Sequence, residues 1–173
     1  MRSTKTVDQP RRRGAAASRR VVHTRDVGRR RRYPDALSES VSRIMQANPR
    51  LDTGPERSVR SRLYRDGFRY RKDFRIRIAR ATTRPDVAFV GLKVAAFIDG
   101  CFWHACPRHG STPKHNAWYW GPKLRRNRAR DRAATTALRT LGWTVIRAWE
   151  HDSPSVVAAR IAAAVRRARV RRR

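Results

Sequence analysis

Apolar residues recur at helical spacing in two neighbouring segments of the N-terminal half of the chain. The first segment is "ALSESVSRIMQAN" and the second is "DTGPERSVRSRLYRDGF". One apolar face of the first consists of Leu37, Val41, Ile44 and Met45. In the second, Thr53 has the place of an N-cap, Glu56 follows in the first turn, and Gly67 stands where a helix stops. The pattern predicts two helices, the second with a capping box.

The next residues change to period two. "FRYRKDFRIRI" alternates apolar residues with arginines, and "PDVAFV" and "KVAAFI" are short apolar runs separated by Gly91–Leu92. They predict strands, the last two joined as a hairpin. A loop containing Trp118 and Trp120, a helix over about 123–141, the strand "WTVIRAW" and a last helix capped by Ser153 are expected to follow. This order of elements predicts an α/β fold around a central mixed sheet.

The same patterns divide the chain into three parts. Residues 1–36 are rich in arginine and have no apolar face, which is typical of a disordered basic arm. Residues 37–155 contain the elements of a folded domain. Residues 156–173 form an amphipathic helix with a basic tail.

Composition indicates the kind of partner. The formal net charge is +30, and the surface that best compensates such a charge is nucleic-acid phosphate. Of the 43 basic residues, 38 are arginine, so the alternative explanation for part of this positive charge is a GC-rich genome. No apolar run is long enough to span a membrane. Two cysteines exclude a disulfide framework and favour a reducing, cytoplasmic setting.

Two carboxylates flank the predicted hairpin. Asp86 begins one strand and Asp99 closes the next, so neighbouring strands would bring both to one edge of the sheet. Close carboxylates ionise together only with a cation between them, and Mg²⁺ prefers such oxygen ligands. The alternative is that Asp86 caps a turn and Asp99 is solvated. His104 is near enough in sequence to exchange a proton with a metal-bound phosphate or its water, or else is a zinc ligand or a surface residue.

Metal-capable and aromatic side chains crowd the segment that follows Asp99. These side chains could together bind a tetrahedral Zn²⁺ ion, and His115 is an alternative donor for it. The other interpretation is that the two cysteines are simply buried free thiols. The candidate zinc ligands are Cys106, His109, Asp131 and His151. Asp131 lies on the apolar stripe of its helix, where an isolated carboxylate needs a partner. Loop aromatics among arginines are typical of residues that stack on bases, although aromatic residues more often belong to a core.

Five pieces of the chain resemble, in the same order, the very short patch repair endonucleases. They are "DTGPERSVRSRLYRDGFRYR", "RPDVAF", "DGCFWHACPRHG", "WYWGPKLRRNRARDR" and "LGWTVIRAWEH", which lie within about residues 38–152. The resemblance implies that 37–155 is an endonuclease domain with a restriction-endonuclease-like, three-layer fold of the PD-(D/E)xK type and a zinc-stapled loop. It also implies a strand-specific nick beside T:G mismatches that arise when 5-methylcytosine deaminates.

The resemblance assigns roles to residues of this chain. It makes Asp86 the Mg²⁺ ligand, His104 the catalytic histidine and Glu56 a supporting residue, although the capping box alone would explain Glu56. The aromatics that match those inserted into DNA are Phe102, Trp103 and Trp120. A mispaired step is easier to unstack, so insertion there reads deformability as well as sequence.

Two departures from the family pattern change the expected site. Asp99 stands where well-known members have histidine, so we expect it to be a second Mg²⁺ ligand, and Cys101 stands where PD-(D/E)xK proteins have lysine. In the zinc set, cysteine and histidine are exchanged at 106, 109 and 151. Such an exchange keeps the number of ligands, so zinc binding is expected to persist.

The sequence therefore predicts a Mg²⁺-dependent, zinc-stabilised DNA endonuclease. The expected partner is duplex DNA with a T:G mismatch, alongside a cytosine-5 methyltransferase system and mismatch-repair proteins, for a monomer in the bacterial cytoplasm near the nucleoid, with no membrane partner. A nuclease indifferent to mismatches and a non-catalytic, zinc-stapled DNA-binding module are the alternatives.

Overall fold

The structure is a computed structural model that describes Pro34, 38–47, Pro49, 51–78, 81–111 and 113–173. Apart from Pro34, the predicted basic arm lies outside the described residues. The first predicted helix is confirmed as α1, Glu39–Ala47. Its expected apolar stripe lies outside the described side chains.

The second predicted helix is also confirmed, as α2, Gly54–Arg65. Its end is a Schellman motif, in which Gly67 N–H donates to the Tyr64 carbonyl at 3.1 Å and Phe68 N–H to the Leu63 carbonyl at 2.9 Å. Gly67 has a φ of 82°, the left-handed conformation that this motif requires. The capping box is wrong in detail, because the Thr53 hydroxyl donates to the Glu56 carboxylate and caps no amide.

The long alternating segment forms less strand than its pattern predicts. It is strand β1, Ile76–Ile78, paired antiparallel with β2, Ala81–Thr83. Earlier in the segment, Asp73 has a left-handed φ of 48°, which interrupts any continuous strand. Only an isolated bridge between Arg71 and Ala88 remains there within the described residues.

The predicted hairpin is confirmed and supplies two strands of the central sheet. Strand β3 is Val87–Phe89 and β4 is Val94–Asp99, joined by a 3₁₀ turn, Val90–Leu92. Strand β5, Thr144–Trp149, pairs parallel to β4, which gives the order β3-β4-β5 and a mixed sheet.

The third helix is longer than its pattern predicts. Helix α3 is Ala117–Thr140, so Trp118 and Trp120 lie in its first turn and the expected loop there is wrong. Gly121–Pro122 reads as a helix breaker, but proline within the first turns removes a single hydrogen bond and is tolerated. A second Schellman motif at Gly142 ends the helix as predicted.

The last helix, α4, is Pro154–Val170, and it begins after Ser153 as predicted. The boundary drawn between 155 and 156 falls inside its first turn. Its buried face, which includes Val157, Ile161 and Val165, packs against α2 and the sheet. The helix therefore forms part of the core of the domain.

The described elements form a mixed α/β fold of three layers. Odd and even residues of β4 face opposite ways, since Val94 and Ala96 belong to the core under α2 and α4, whereas Ala95 packs with α3 and β1. Two apolar cores thus lie on the two faces of one small sheet. Among the described helices, none has the length and apolarity needed to cross a membrane.

Candidate active site and Cys/His cluster

A cleft of about 1070 Å³ lies where β4 ends and β3 begins. We call it the acidic cleft, because its lining includes the carboxylates Glu56, Asp73, Asp86, Asp99, Asp131 and Glu150. The antiparallel pairing of β3 with β4 puts Asp86 beside the last residues of β4. The predicted meeting of Asp86 and Asp99 at one edge of the sheet is therefore observed.

Asp86 is half-buried, and one of its oxygens, Oδ2, accepts a hydrogen bond of 2.6 Å from the Ile98 amide. Burial raises the pKa of Asp86 to about 7. The hydrogen bond from the Ile98 amide opposes this rise, whereas the nearby charges of Glu56 and Asp99 add to it. A carboxyl held in this way is short of positive charge. Its environment is that of a group suited to a bound cation.

Glu56 is buried and well satisfied within α2 and the turn before it. Its carboxylate accepts from the Asp52 amide at 3.0 Å, from the Thr53 hydroxyl at 2.8 Å and from Arg60 at 3.2 Å. Arg60 is itself buried and also pairs with Asp52. These contacts fix Glu56 at the edge of the cleft.

Asp99 is buried and paired with an arginine from the neighbouring strand. Arg147 donates from Nε to Asp99 Oδ2 at 2.7 Å and from Nη2 to Oδ1, a bidentate ion pair. Both carboxylate oxygens are therefore already engaged. This arrangement favours Asp99 as the anchor of Arg147 over the expected role as a metal ligand.

His104 meets Asp131 across the cleft. Its Nδ1 lies 2.6 Å from Asp131 Oδ2 and 3.6 Å from Asp99 Oδ1. Burial raises the pKa of Asp131, but the hydrogen bond and charge of His104, with Arg147, outweigh burial and hold the pKa below its ordinary value. An ionised Asp131 only accepts, so Nδ1 carries the proton and Nε2 is left for other chemistry.

An aromatic group borders the cleft, formed by Phe102, Trp103 and Trp120. The ring centroids of Phe102 lie 5.0 Å from Trp103 and 5.2 Å from Trp120, edge to face. The Lys123 ammonium lies 5.5 Å from the Trp103 ring and 5.0 Å from the Trp120 ring. A cation beside stacking surfaces next to a cleft is suited to a nucleic-acid strand.

Beside the acidic cleft lies the Cys/His cluster, Cys101, Cys106, His109 and His151, whose ligand atoms all lie within 4.8 Å of one another. The Cys101 sulfur is 3.0 Å from His151 Nδ1, and His109 Nδ1 is 3.1 Å from the same atom. Ligand atoms of tetrahedral zinc are roughly 3.3–3.8 Å apart, and four of the pairs here lie within a few tenths of an ångström of that range, between 3.0 and 3.9 Å. Two thiols and two imidazoles are also donors that zinc prefers, so this set fits the metal. In the part of the chain that the structure describes, this is the one compact group of its kind.

The chain turns back at 101–110 to form this cluster. The Cys106 amide bonds to the Cys101 carbonyl at 2.9 Å and the Gly110 amide to the Cys106 carbonyl at 2.7 Å. A Cβ on Gly110 would meet the Cys106 carbonyl oxygen at 2.4 Å, so this turn needs glycine. Burial raises the pKa of Cys106, but hydrogen bonds from backbone amides, first that of His109, outweigh burial and leave it below its ordinary value.

The cluster differs from the predicted zinc set at one position. Cys106, His109 and His151 come together as expected, but Asp131 lies with His104 on the cleft side. Cys101 takes the fourth place. The expectation that Asp131 has a partner is met, because its Oδ2 pairs with His104 and lies 3.8 Å from Arg147 Nη2.

Sequence reasoning missed four side chains that shape the site. They are Arg60, Cys101, Lys123 and Arg147. An arginine amid the apolar run "WTVIRAW" was the available signal for Arg147, since a charge within an apolar strand needs a carboxylate as its partner. For Cys101 the signal was a thiol five residues before Cys106, within reach of one turn.

Comparison with known proteins gives one matching family model and several related sequences. Residues 35–108 match the family model "DNA mismatch endonuclease Vsr". The chain is 53% identical over 121 residues to "Type II nicking enzyme V.NaeI" of Lentzea aerocolonigenes, covering 69% of this chain and 73% of that protein.

Two further relatives are more distant. "Type II nicking enzyme V.XorIIP" of Xanthomonas oryzae pv. oryzae is 39% identical over 119 residues, which cover 67% of this chain and 84% of that protein. "DNA mismatch endonuclease Vsr" of Escherichia coli strain K12 is 32% identical over 113 residues, covering 63% of this chain and 68% of that protein.

Proposed function

Because this chain belongs to the DNA mismatch endonuclease Vsr family and is therefore a DNA endonuclease, we propose that it nicks one strand of a duplex beside a T:G mismatch in a Mg²⁺-dependent reaction. The mismatch would arise by deamination of 5-methylcytosine. The observation that carries the proposal is the acidic cleft, where Asp86 and the His104–Asp131 pair lie next to the aromatic group. The restriction-endonuclease-like layering of the domain is part of the same proposal.

Asp86 is the residue proposed to hold Mg²⁺. The ion, when bound, would offset charge on the phosphate and supply water of lowered pKa. Mg²⁺ in phosphate-handling sites commonly takes one or two carboxylates and fills its other positions with water and substrate phosphate, so one carboxylate oxygen of Asp86 is enough. Glu56 supports this position from its hydrogen-bonded place in α2, and Asp99, held by Arg147, shapes the cleft wall.

His104 is proposed to move the proton. With Nδ1 fixed on Asp131, its Nε2 is the atom that exchanges a proton with the attacking water or the leaving oxygen. General acid–base groups of this kind contribute about 10²–10⁴ to a rate. Asp131 acts as a positioning residue, because its contact sets the tautomer and direction of the ring.

The aromatic group is proposed to recognise the mismatch. Phe102, Trp103 and Trp120 would wedge beside the T:G step, which unstacks with less free energy than a paired step. Lys123, packed against two of these rings, adds a charge that attracts the backbone. Discrimination would then rest on how readily the duplex deforms.

The Cys/His cluster is proposed to bind structural Zn²⁺ through Cys101, Cys106, His109 and His151. Bound there, zinc would join the loop after β4 to the segment after β5. Glu150 connects this region with the cleft, because its carboxylate accepts a 2.6 Å hydrogen bond from the Cys101 amide. The metal would thus hold the wall on which His104 stands.

A second candidate function is nicking without a mismatch requirement. The names of two relatives, both "Type II nicking enzyme", favour it, since those names specify no mismatch. In either case the proposed setting is the bacterial cytoplasm, close to a cytosine-5 methyltransferase and, for the mismatch function, to repair proteins.

The deciding experiment incubates the purified protein and Mg²⁺ with end-labelled duplexes that are matched or carry one T:G pair, in several cytosine-methylation contexts. We expect a nick beside the mismatched T that is absent with EDTA and with Asp86→Ala. Asp86→Ala should still bind the duplex, because it removes a negative charge from the cleft. Equal cutting of matched DNA would replace the mismatch function with the second candidate.

A further inference from the structure

A second concave surface lies between α2 and the first turn of α4, with a volume of about 520 Å³. We call it the arginine groove. Its lining consists of Arg57, Ser58, Ser61, Arg62, Arg65, Ser153, Pro154 and Ser155. The α2 members are all exposed and recur at helical spacing, opposite the face that α2 buries. This face contributes nothing to the core.

The charges of the arginine groove are only partly compensated. Within the described residues, Arg62 pairs with Asp66 at 3.4 Å, whereas Arg57 and Arg65 form no ion pair. The groove contains no carboxylate in its lining. Two guanidinium groups and four hydroxyls therefore face one concavity, a combination that suits an anion with several oxygens.

The groove adjoins the acidic cleft along the chain. Glu56 lines the cleft and Arg57 lines the groove, and on the other side Glu150 belongs to the cleft and Ser153 to the groove. The cleft itself repels DNA through its carboxylates, so attraction must come from surfaces next to it. The two surfaces are therefore carried by the same two segments of the chain, α2 and the residues that follow β5.

We propose that the arginine groove binds the phosphodiester backbone of the duplex outside the nicked step, a contact that rests on the cleft being the nicking site. From Arg57 to Arg65 the helix rises roughly 12 Å, enough for the two guanidinium groups to reach two different phosphates of one strand. The hydroxyls of Ser61 and Ser153 add neutral donors. The contact carries no base readout and sets how the duplex lies across the cleft.

The test measures binding, so it does not depend on cleavage. The double variant Arg57→Gln/Arg65→Gln is compared with Arg139→Gln/Arg167→Gln, which removes the same charge from exposed helical positions outside both surfaces. Dissociation constants for a duplex that extends beyond the cleft are measured in EDTA between about 50 and 200 mM salt. Thermal unfolding checks that both variants are folded.

We expect the groove variant to flatten the slope of log K against log salt by about two, one for each phosphate contact removed, and the control to flatten it by less than about one. Arg57→Lys/Arg65→Lys should keep the wild-type slope. Phosphate-ethylation interference should weaken at backbone positions to one side of the nick in the groove variant alone. Equal slopes for the groove and control variants would overturn the proposal. A failure to nick any duplex would instead count against the proposed function and leave these slopes interpretable.

Discussion

The acidic cleft and the Cys/His cluster share one short stretch of chain. The cleft brings groups of like charge together, whereas the cluster brings together donors that suit one metal ion. In the cleft, Asp86 lies near other carboxylates and its pKa is raised to about 7. In the cluster, four donors of the kind zinc prefers converge within 4.8 Å. We infer that the cleft is a destabilising arrangement retained for the proposed chemistry, whereas the cluster, with zinc bound as proposed, would stabilise the cleft wall.

The largest expected effect comes from breaking the cluster. Cys101→Ser should lose zinc on dialysis and lower the free energy of unfolding by about 5 kcal/mol, less than the roughly 10–16 kcal/mol that zinc gives to peptides that fold only with metal. Asp131→Asn is the control and should retain zinc. Metal content and thermal unfolding measure both. Zinc retained in the cysteine variant but lost in the aspartate variant would restore the set predicted from sequence.

The next effect concerns the free energy stored in the cleft. The folded pKa of Asp86 is raised from 3.8 to about 7, so folding favours its protonated form. The penalty for ionised Asp86 therefore grows as pH rises from about 4 to 7 and stays constant above, reaching at most about 4 kcal/mol. Asp86→Asn, measured by denaturant unfolding in EDTA, should be more stable than the wild type at about pH 8 and equal to it below about pH 4. A pH-independent difference would contradict this pKa.

A smaller effect is expected from the contact between His104 and Asp131. Asp131→Asn should lower kcat for nicking by about 100-fold, within the range of acid–base catalysis, because the amide no longer fixes the proton on Nδ1. KM and zinc content should stay close to those of the wild type, since Asp131 pairs with His104 and Arg147 and lies outside the cluster. A rise in KM with kcat unchanged would assign Asp131 to binding instead.

The smallest effect is expected at the aromatic group. Trp120→Ala should reduce the preference for T:G over matched duplex by about tenfold, consistent with 1–3 kcal/mol for stacking on a base. Trp118→Ala is the matched control, because Trp118 is 67% exposed and makes no contact with Phe102 or Trp103 among the described ring pairs. Nicking rates on paired substrates measure both variants. Equal losses would mean that exposed aromatic surface in general, rather than this group, sets the preference.

The elements could be predicted where their signals are local. Glycines at 67 and 142 end α2 and α3 because the Schellman motif needs a left-handed residue, and the runs around Gly91 form the hairpin. The same local signals were misleading at Asp73, where a turn interrupts the alternation, and at Gly121–Pro122, where the helix tolerates a proline near its start. Propensity is a weak signal wherever a neighbouring layer supplies contacts.

The sequence by itself determined which chemistries the chain carries. It contains carboxylates at the ends of two neighbouring strands, a histidine near them, cysteines and histidines at ligand spacing, and an excess of positive charge. Their partners were decided only by the tertiary structure, which pairs Asp131 with His104, Asp99 with Arg147 and Cys101 with the cluster. The physical reason is that these contacts join residues 27 to 50 positions apart, so they depend on how the layers pack and not on any local pattern.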